Sequence, residues 1–102
     1  MPVTYDSQED KLFAHISGDI DHHSAAGLRD SIDRMVESAL PQLLVLDFSG
    51  VSFMDSSGIG LIMGRYKLMQ SLGGSIRVER VPAPLKRLMN LAGLSLLPIT
   101  IS

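Results

Sequence analysis

The six residues Leu43 to Phe48 (Leu-Leu-Val-Leu-Asp-Phe) constrain this chain more than any other stretch. They form a short, nearly continuous apolar run with turn signals at both ends, the pattern of a strand buried on both faces. This run is the candidate central strand. The sequence on either side of it reads as helix. Ala25, Leu28, Ile32, Met35, Val36 and Leu40 recur at steps of three and four until Pro41 closes the stripe, and Asp21 or Ser24 is placed to cap its start. After the run, Ser56 or Ser57 opens a second helix to about Leu72. Its apolar face carries Ile59, Ile62, Met63, Tyr66 and Met69, and Gly73-Gly74 stops it.

The remaining segments complete an alternating pattern. Val3 to Asp6 and Leu12 to Ser17 have strand character and are split by Ser7-Gln8-Glu9-Asp10, which predicts an antiparallel hairpin ending at Gly18. Ser75 to Glu79 returns as a strand. Pro82 or Pro84 starts a third helix through Leu85, Leu88, Met89 and Leu91 that Gly93 ends, and Leu97 to Ile101 is a last short strand. The order β-β-α-β-α-β-α-β predicts an α/β fold: a mostly parallel mixed sheet of about five strands joined by crossover helices. A length of 102 residues suits one domain over residues 1–102, with a single core and one functional surface.

Charge and residue usage remove several classes of function. The formal net charge is −2 and no basic cluster exceeds Lys86-Arg87, so direct nucleic-acid binding is not expected. Without cysteine there is no disulfide framework, thiolate metal site or thiol catalysis. Met1 to Asp10 carry Asp6, Glu9 and Asp10 and no apolar run, so neither a signal peptide nor a membrane span is read, and a cytoplasmic protein is expected.

The turn before the second helix concentrates unusual residues. Gly58, Gly60 and Gly64 sit inside a helical pattern, where each glycine costs roughly 1 kcal/mol against alanine. Close packing of the helix on its sheet is one reason for Gly64. For Gly58 and Gly60, in the first turn, bare backbone that admits another protein is the alternative. The same helix start offers unpaired N–H groups and partial positive charge, a seat for an anion. A phosphate on Ser56 would fit there, and its added charge beside Asp55 would convert a small docking surface into a strongly negative one. The plainer reading leaves Ser56 or Ser57 as a cap, with Asp55 complementing the helix dipole.

Other constellations are weaker. Gly58, Gly60 and Gly64 form G-x-G-x-x-x-G, one residue longer than a dinucleotide fingerprint, with Glu79 about 20 residues on, which keeps a nucleotide-binding α/β module as the alternative function. Ser56 as a nucleophile would need His22 or His23 as base, and G-x-S-x-G is absent. Asp19, Asp21, His22 and His23 contain metal-ligating types, yet adjacent helical residues point about 100° apart, which favours a solvated helix start. Met35, Met54, Met63, Met69 and Met89 read as core filler. Arg65 and Lys67 read either as a solvated face or as rim contacts to an acidic partner.

Gly18-Asp19-Ile20-Asp21-His22-His23-Ser24-Ala25, Val51-Ser52-Phe53-Met54-Asp55-Ser56-Ser57-Gly58-Ile59-Gly60 and Gly64-Arg65-Tyr66-Lys67 resemble the anti-sigma factor antagonist branch of the STAS domain family. Pro84-Leu85-Lys86-Arg87-Leu88, with Gly93-Leu94 after it, fits the third helix of that family. The resemblance implies a non-enzymatic, cofactor-free partner switch, monomeric when alone, in control of sporulation transcription. The unphosphorylated form would bind an ATP- or ADP-bound serine kinase that doubles as an anti-sigma factor, and so free the sigma factor. The kinase would phosphorylate Ser56 and end that binding until a serine phosphatase restores it. Asp21, Asp55, Ser57, Gly58 and Gly60 are the further partner-binding candidates. One departure is that the family usually continues into a final helix, whereas this sequence ends at Ile101-Ser102.

Overall fold

The computed structural model describes residues 2–102. The run expected to be central is central. Strands β1 (Val3–Gln8), β2 (Lys11–Ile20), β3 (Leu43–Met54), β4 (Ser75–Glu79) and β5 (Thr100–Ile101) form one sheet in the order β1-β2-β3-β4-β5. β1 pairs antiparallel with β2 and every other pairing is parallel. Helices α1 (Ala25–Ala39), α2 (Ser56–Ser71) and α3 (Ala83–Leu91) make the crossovers.

Strand order and handedness together decide where the helices go. Three right-handed crossovers that each step one strand in the same direction put all three helices on one face of the sheet. Burial follows that parity. Leu12, Ala14 and Ile16 of β2, Leu44, Leu46 and Phe48 of β3, and Ile76 and Val78 of β4 pack against Leu28, Ile32 and Val36 of α1 and Ile62 and Met69 of α2. Among the described residues the opposite face carries no helix. Asp6, Phe13, Val45 and Arg77 form one row across it, and Thr4, His15, Asp47 and Glu79 the next. The expectation of burial on both sides of Leu43–Phe48 therefore holds for Leu44 to Phe48, but Val45 and Asp47 are shielded by side chains of adjacent strands and not by a second layer.

Element ends differ from the sequence reading for identifiable reasons. β2 continues through Gly18, which takes φ 82, to Ile20, and β3 runs six residues beyond Phe48 to Met54. Two register shifts between β2 and β3 explain both extensions, because the pairing breaks and resumes. The last strand shrinks from the expected Leu97–Ile101 to Thr100–Ile101. Leu94–Leu96 form a 3₁₀ turn, Pro98 has no N–H to give, and the Ile99 N–H turns back to the Leu97 carbonyl at 2.7 Å. Pro41 follows a left-handed Leu40 (φ 47), whose N–H closes α1 on the Val36 carbonyl.

Candidate functional site

Two connections meet at the C-terminal ends of the parallel strands, where α/β sheets present their ligands. The Asp55 N–H donates to the Ile20 carbonyl at 3.1 Å, so the turn after β2 lies against the turn after β3. Asp21 and Asp55 are thereby brought side by side in the fold, 34 residues apart in sequence.

Each carboxylate organises its own turn. Asp21 Oδ1 accepts from the His23 N–H at 2.9 Å and the Ser24 N–H at 3.0 Å. Those amide bonds, the Ser24 one foremost, hold the Asp21 carboxyl below the usual carboxylate range. Asp55 is the cap of α2: its side chain accepts from the Ser57 N–H at 2.8 Å and its carbonyl from the Gly58 N–H at 3.0 Å. The expectation that Ser56 or Ser57 caps the helix is corrected, since aspartate at this position takes the amide two residues on. Ser56 is freed by that arrangement. It is the first residue of α2, exposed, and its hydroxyl makes no hydrogen bond among the described residues. The capping carboxylate also occupies the helix end that the sequence offers as a seat for phosphate, so a phosphate on Ser56 would add charge next to charge.

The glycines separate into two kinds. Gly58 is buried, and a Cβ there would overlap Cγ and Sδ of Met54. Its bareness is explained inside the fold, which corrects the reading that it opens the first turn to another chain. Gly60 is exposed, and neither Gly60 nor Gly64 has an atom within 4 Å of where a Cβ would stand, so close packing does not account for Gly64. Both line a cavity of about 420 Å³ between the starts of α1 and α2, with Ala25, Ala26, Ser57 and Arg29. The spacing G-x-G-x-x-x-G does not assemble a phosphate cradle here, because Gly58 is buried and Asp55 covers the helix end.

His22 and His23 are exposed, with ring centroids 3.9 Å apart, and among the described residues no cluster of His, Asp and Glu is suited to hold a metal ion. Arg65 is neither a solvated face nor a rim contact: it is buried and its Nε lies 2.8 Å from Asp33 Oδ1 on α1. Lys67 is exposed.

Sequence reasoning missed a second polar cluster on the bare face of the sheet. His15 Nδ1 lies 2.7 Å from Asp47 Oδ2 and His15 Nε2 lies 2.8 Å from Asp6 Oδ2. Ionised carboxylates only accept, so the doubly protonated, cationic imidazole is the form that satisfies both contacts. The Asp47 bond first, and the Asp6 bond with it, raise the His15 pKa above its ordinary value. Arg80 Nη2 donates to Asp47 Oδ2 at 2.7 Å, and the Ser49 N–H to Asp47 Oδ1 at 3.0 Å. Burial pushes the Asp47 carboxyl up, but His15, the Ser49 amide and Arg80 together leave it below the usual range. The one signal in the sequence was an aspartate inside an otherwise apolar strand.

The STAS domain pattern matches residues 2–101. The chain belongs to the STAS domain family. This STAS domain is 38% identical over 89 residues to the anti-sigma F factor antagonist of Paenibacillus polymyxa, covering 86% of this chain and 76% of that one. It is 33% identical over 92 residues to the anti-sigma-B factor antagonist of Bacillus subtilis (strain 168), covering 90% and 83%. Among solved structures it is similar to the anti-sigma factor antagonist SpoIIAA in its unphosphorylated form, at a TM-score of 0.82 and 21% identity over 98% of this chain and 87% of that one. The phosphorylated form of SpoIIAA aligns at a TM-score of 0.74 and 21% identity over 98% and 90%. These structural likenesses show the shared fold, with its strand and helix order.

Proposed function

We propose that this STAS domain is an anti-sigma factor antagonist: without catalysis or a cofactor of its own, its α2 start and adjoining Asp21 turn dock onto a serine-kinase anti-sigma factor and so free a sigma factor. The observation that carries this reading is Ser56, whose exposed hydroxyl is unengaged because Asp55 does the capping. Relatives at 38% and 33% identity named as antagonists of anti-sigma factors support the class of partner.

The switch follows from charge. Unmodified, the surface presents Ser56, the bare Gly60 and the carboxylates of Asp21 and Asp55, all within two adjoining turns. A phosphate on Ser56 adds about −1.5 to −2 charges next to Asp55 at a helix end whose Ser57 and Gly58 amides are already taken. Uncompensated, that charge repels an acidic or apolar partner surface and ends docking until a serine phosphatase removes it. We assign the domain to the cytoplasm, as a monomer when unbound, with sporulation transcription as the process it serves. Among the described residues no helix is long and apolar enough to cross a membrane.

The test is mass spectrometry of the protein after incubation with a purified serine-kinase anti-sigma factor and ATP, alongside binding of both forms. A single phosphate on Ser56 together with loss of the complex is expected. Absence of any complex, or a Ser56→Ala variant that is still phosphorylated and released, overturns the proposal.

A further inference from the structure

Strands β2 and β3 reach the two site turns by paths of unequal length. From the paired residues His15 and Asp47, β2 takes five steps to Ile20 and β3 takes seven to its partner Met54. The two extra residues of β3 lie at the register shifts, one between Asp47 and Gly50 and one between Val51 and Phe53. Each shift sets two residues of β3 against one of β2, which bends the strand and re-aims the residues beyond it. Without both, Asp55 would not meet Ile20.

At the first shift the amide beside the bulge belongs to Ser49. The Asp47 carboxylate takes it at 3.0 Å with Oδ1, while Oδ2 holds His15 at 2.7 Å and Arg80 at 2.7 Å. Gly50 comes next, where a Cβ would stand 3.1 Å from both the Ile16 carbonyl and the Ser17 Cβ, so the chains approach closely at this point. Asp47 itself is 4% exposed, a buried acid with every observed bond directed at the bulge or at the groups that fix it.

We propose that Asp47 is a positioning residue for the Asp21 and Ser56 surface, acting through the β3 bulge, with His15 and Arg80 as the groups that hold its carboxylate in place. The functional part of this inference rests on the proposed docking surface; the positioning itself is a property of the isolated domain. The groups facing His15 are Asp6 from β1, Asp47 from β3 and Arg80 from the β4–α3 connection, with Glu79 of β4 level with Asp47 and engaged by Arg77 at 3.4 Å. Among the described residues no helix contributes, since α1, α2 and α3 lie on the other face. Deprotonating His15 removes one of the two donations its ring makes to Asp6 and Asp47, and the bulge loosens.

The experiment is amide hydrogen exchange by NMR on the full ¹⁵N-labelled chain, wild type against Asp47→Ala, Asp47→Asn and His15→Gln, with binding to a purified anti-sigma F factor measured in parallel. In Asp47→Ala the Ser49, Asp55 and Ser57 amides are expected to lose about tenfold protection while Leu44 and Leu46 hold, and Asp47→Asn, which keeps an acceptor for Ser49, recovers part of it. In wild type the Ser49 and Ser57 amides lose protection, beyond the intrinsic pH dependence of exchange, as pH rises through the His15 titration, and in His15→Gln that extra loss is absent. Should Asp47→Ala not fold, the pH comparison of wild type with His15→Gln decides. Ser57 and Asp55 protection unchanged in a folded Asp47→Ala, or a wild-type profile identical to that of His15→Gln, overturns the inference. Failure of the wild type to bind the anti-sigma factor removes the docking reading alone, since the exchange data stand without a partner.

Discussion

Arg65 Nε lies 2.8 Å from Asp33 Oδ1, and Arg65 Nη2 3.4 Å from Asp33 Oδ2, so α2 is tied to α1 directly behind the cavity at the helix starts. The close approach is off-axis, an ion contact more than an aligned hydrogen bond, and the guanidinium also donates to the Leu61 carbonyl at 3.3 Å. Removing one member of a largely buried pair leaves the other uncompensated. Arg65→Ala should therefore lower stability by about 3 kcal/mol, read from the urea midpoint, and Arg65→Met, which keeps the apolar stem, should lose less. A midpoint unchanged in Arg65→Ala would show the pair to be neutral.

Gly58 and Gly60, two residues apart, should respond oppositely to alanine. At Gly58 a Cβ overlaps Met54, which must repack, at a cost of about 1–3 kcal/mol, and in a Met54→Ala background, itself destabilised by the lost core side chain, the same Gly58→Ala change should cost much less. At Gly60 nothing stands in the way, so Gly60→Ala should stabilise the domain by about 0.5–1 kcal/mol through helix propensity. If Gly60 belongs to the docking surface, the same variant binds an anti-sigma F factor more weakly despite its higher melting temperature.

Asp55→Ala removes the α2 cap and should cost about 1 kcal/mol, with Asp55→Ser or Asp55→Asn restoring most of it. Ser56→Ala touches no cap and should leave the unfolding free energy within about 0.5 kcal/mol of wild type. A large destabilisation by Ser56→Ala would return a structural role to that serine.

The His15 cluster sets a pH dependence with a definite sign. Its folded pKa is raised, so its contribution is full below about pH 6.5, where the unfolded imidazole is also protonated, and is lost as pH rises through the folded value. Asp47 acts at the other end: its folded pKa is lowered, so its contribution is present above about pH 4 and is lost as pH falls through the folded value. Because His15 is partly exposed, its share is at most about 1 kcal/mol. Denaturant midpoints for wild type and His15→Gln should converge as pH rises through the His15 titration; parallel profiles would show that His15 does not carry the effect.

The sequence by itself determined the element order, the central place of Leu43–Phe48, the helix stripes of α1 and α2, and the concentration of unusual residues at Asp55-Ser56-Ser57-Gly58. These are local properties: periodicity, turn chemistry and helix stops are written within ten or so neighbouring residues, and the family likeness rested on the same short motifs. Only the tertiary structure decided that Asp55 and not a serine caps α2, that Gly58 is bare because Met54 lies beneath it, and that Arg65 is buried on Asp33. It also decided that one face of the sheet is left to His15, Asp47 and Arg80. Each of those depends on which residues from separate elements share a point in space. Sheet register and the two bulges of β3 fix that, and a one-residue shift of pairing leaves almost no trace in the periodicity of a strand while reversing which way every later side chain points.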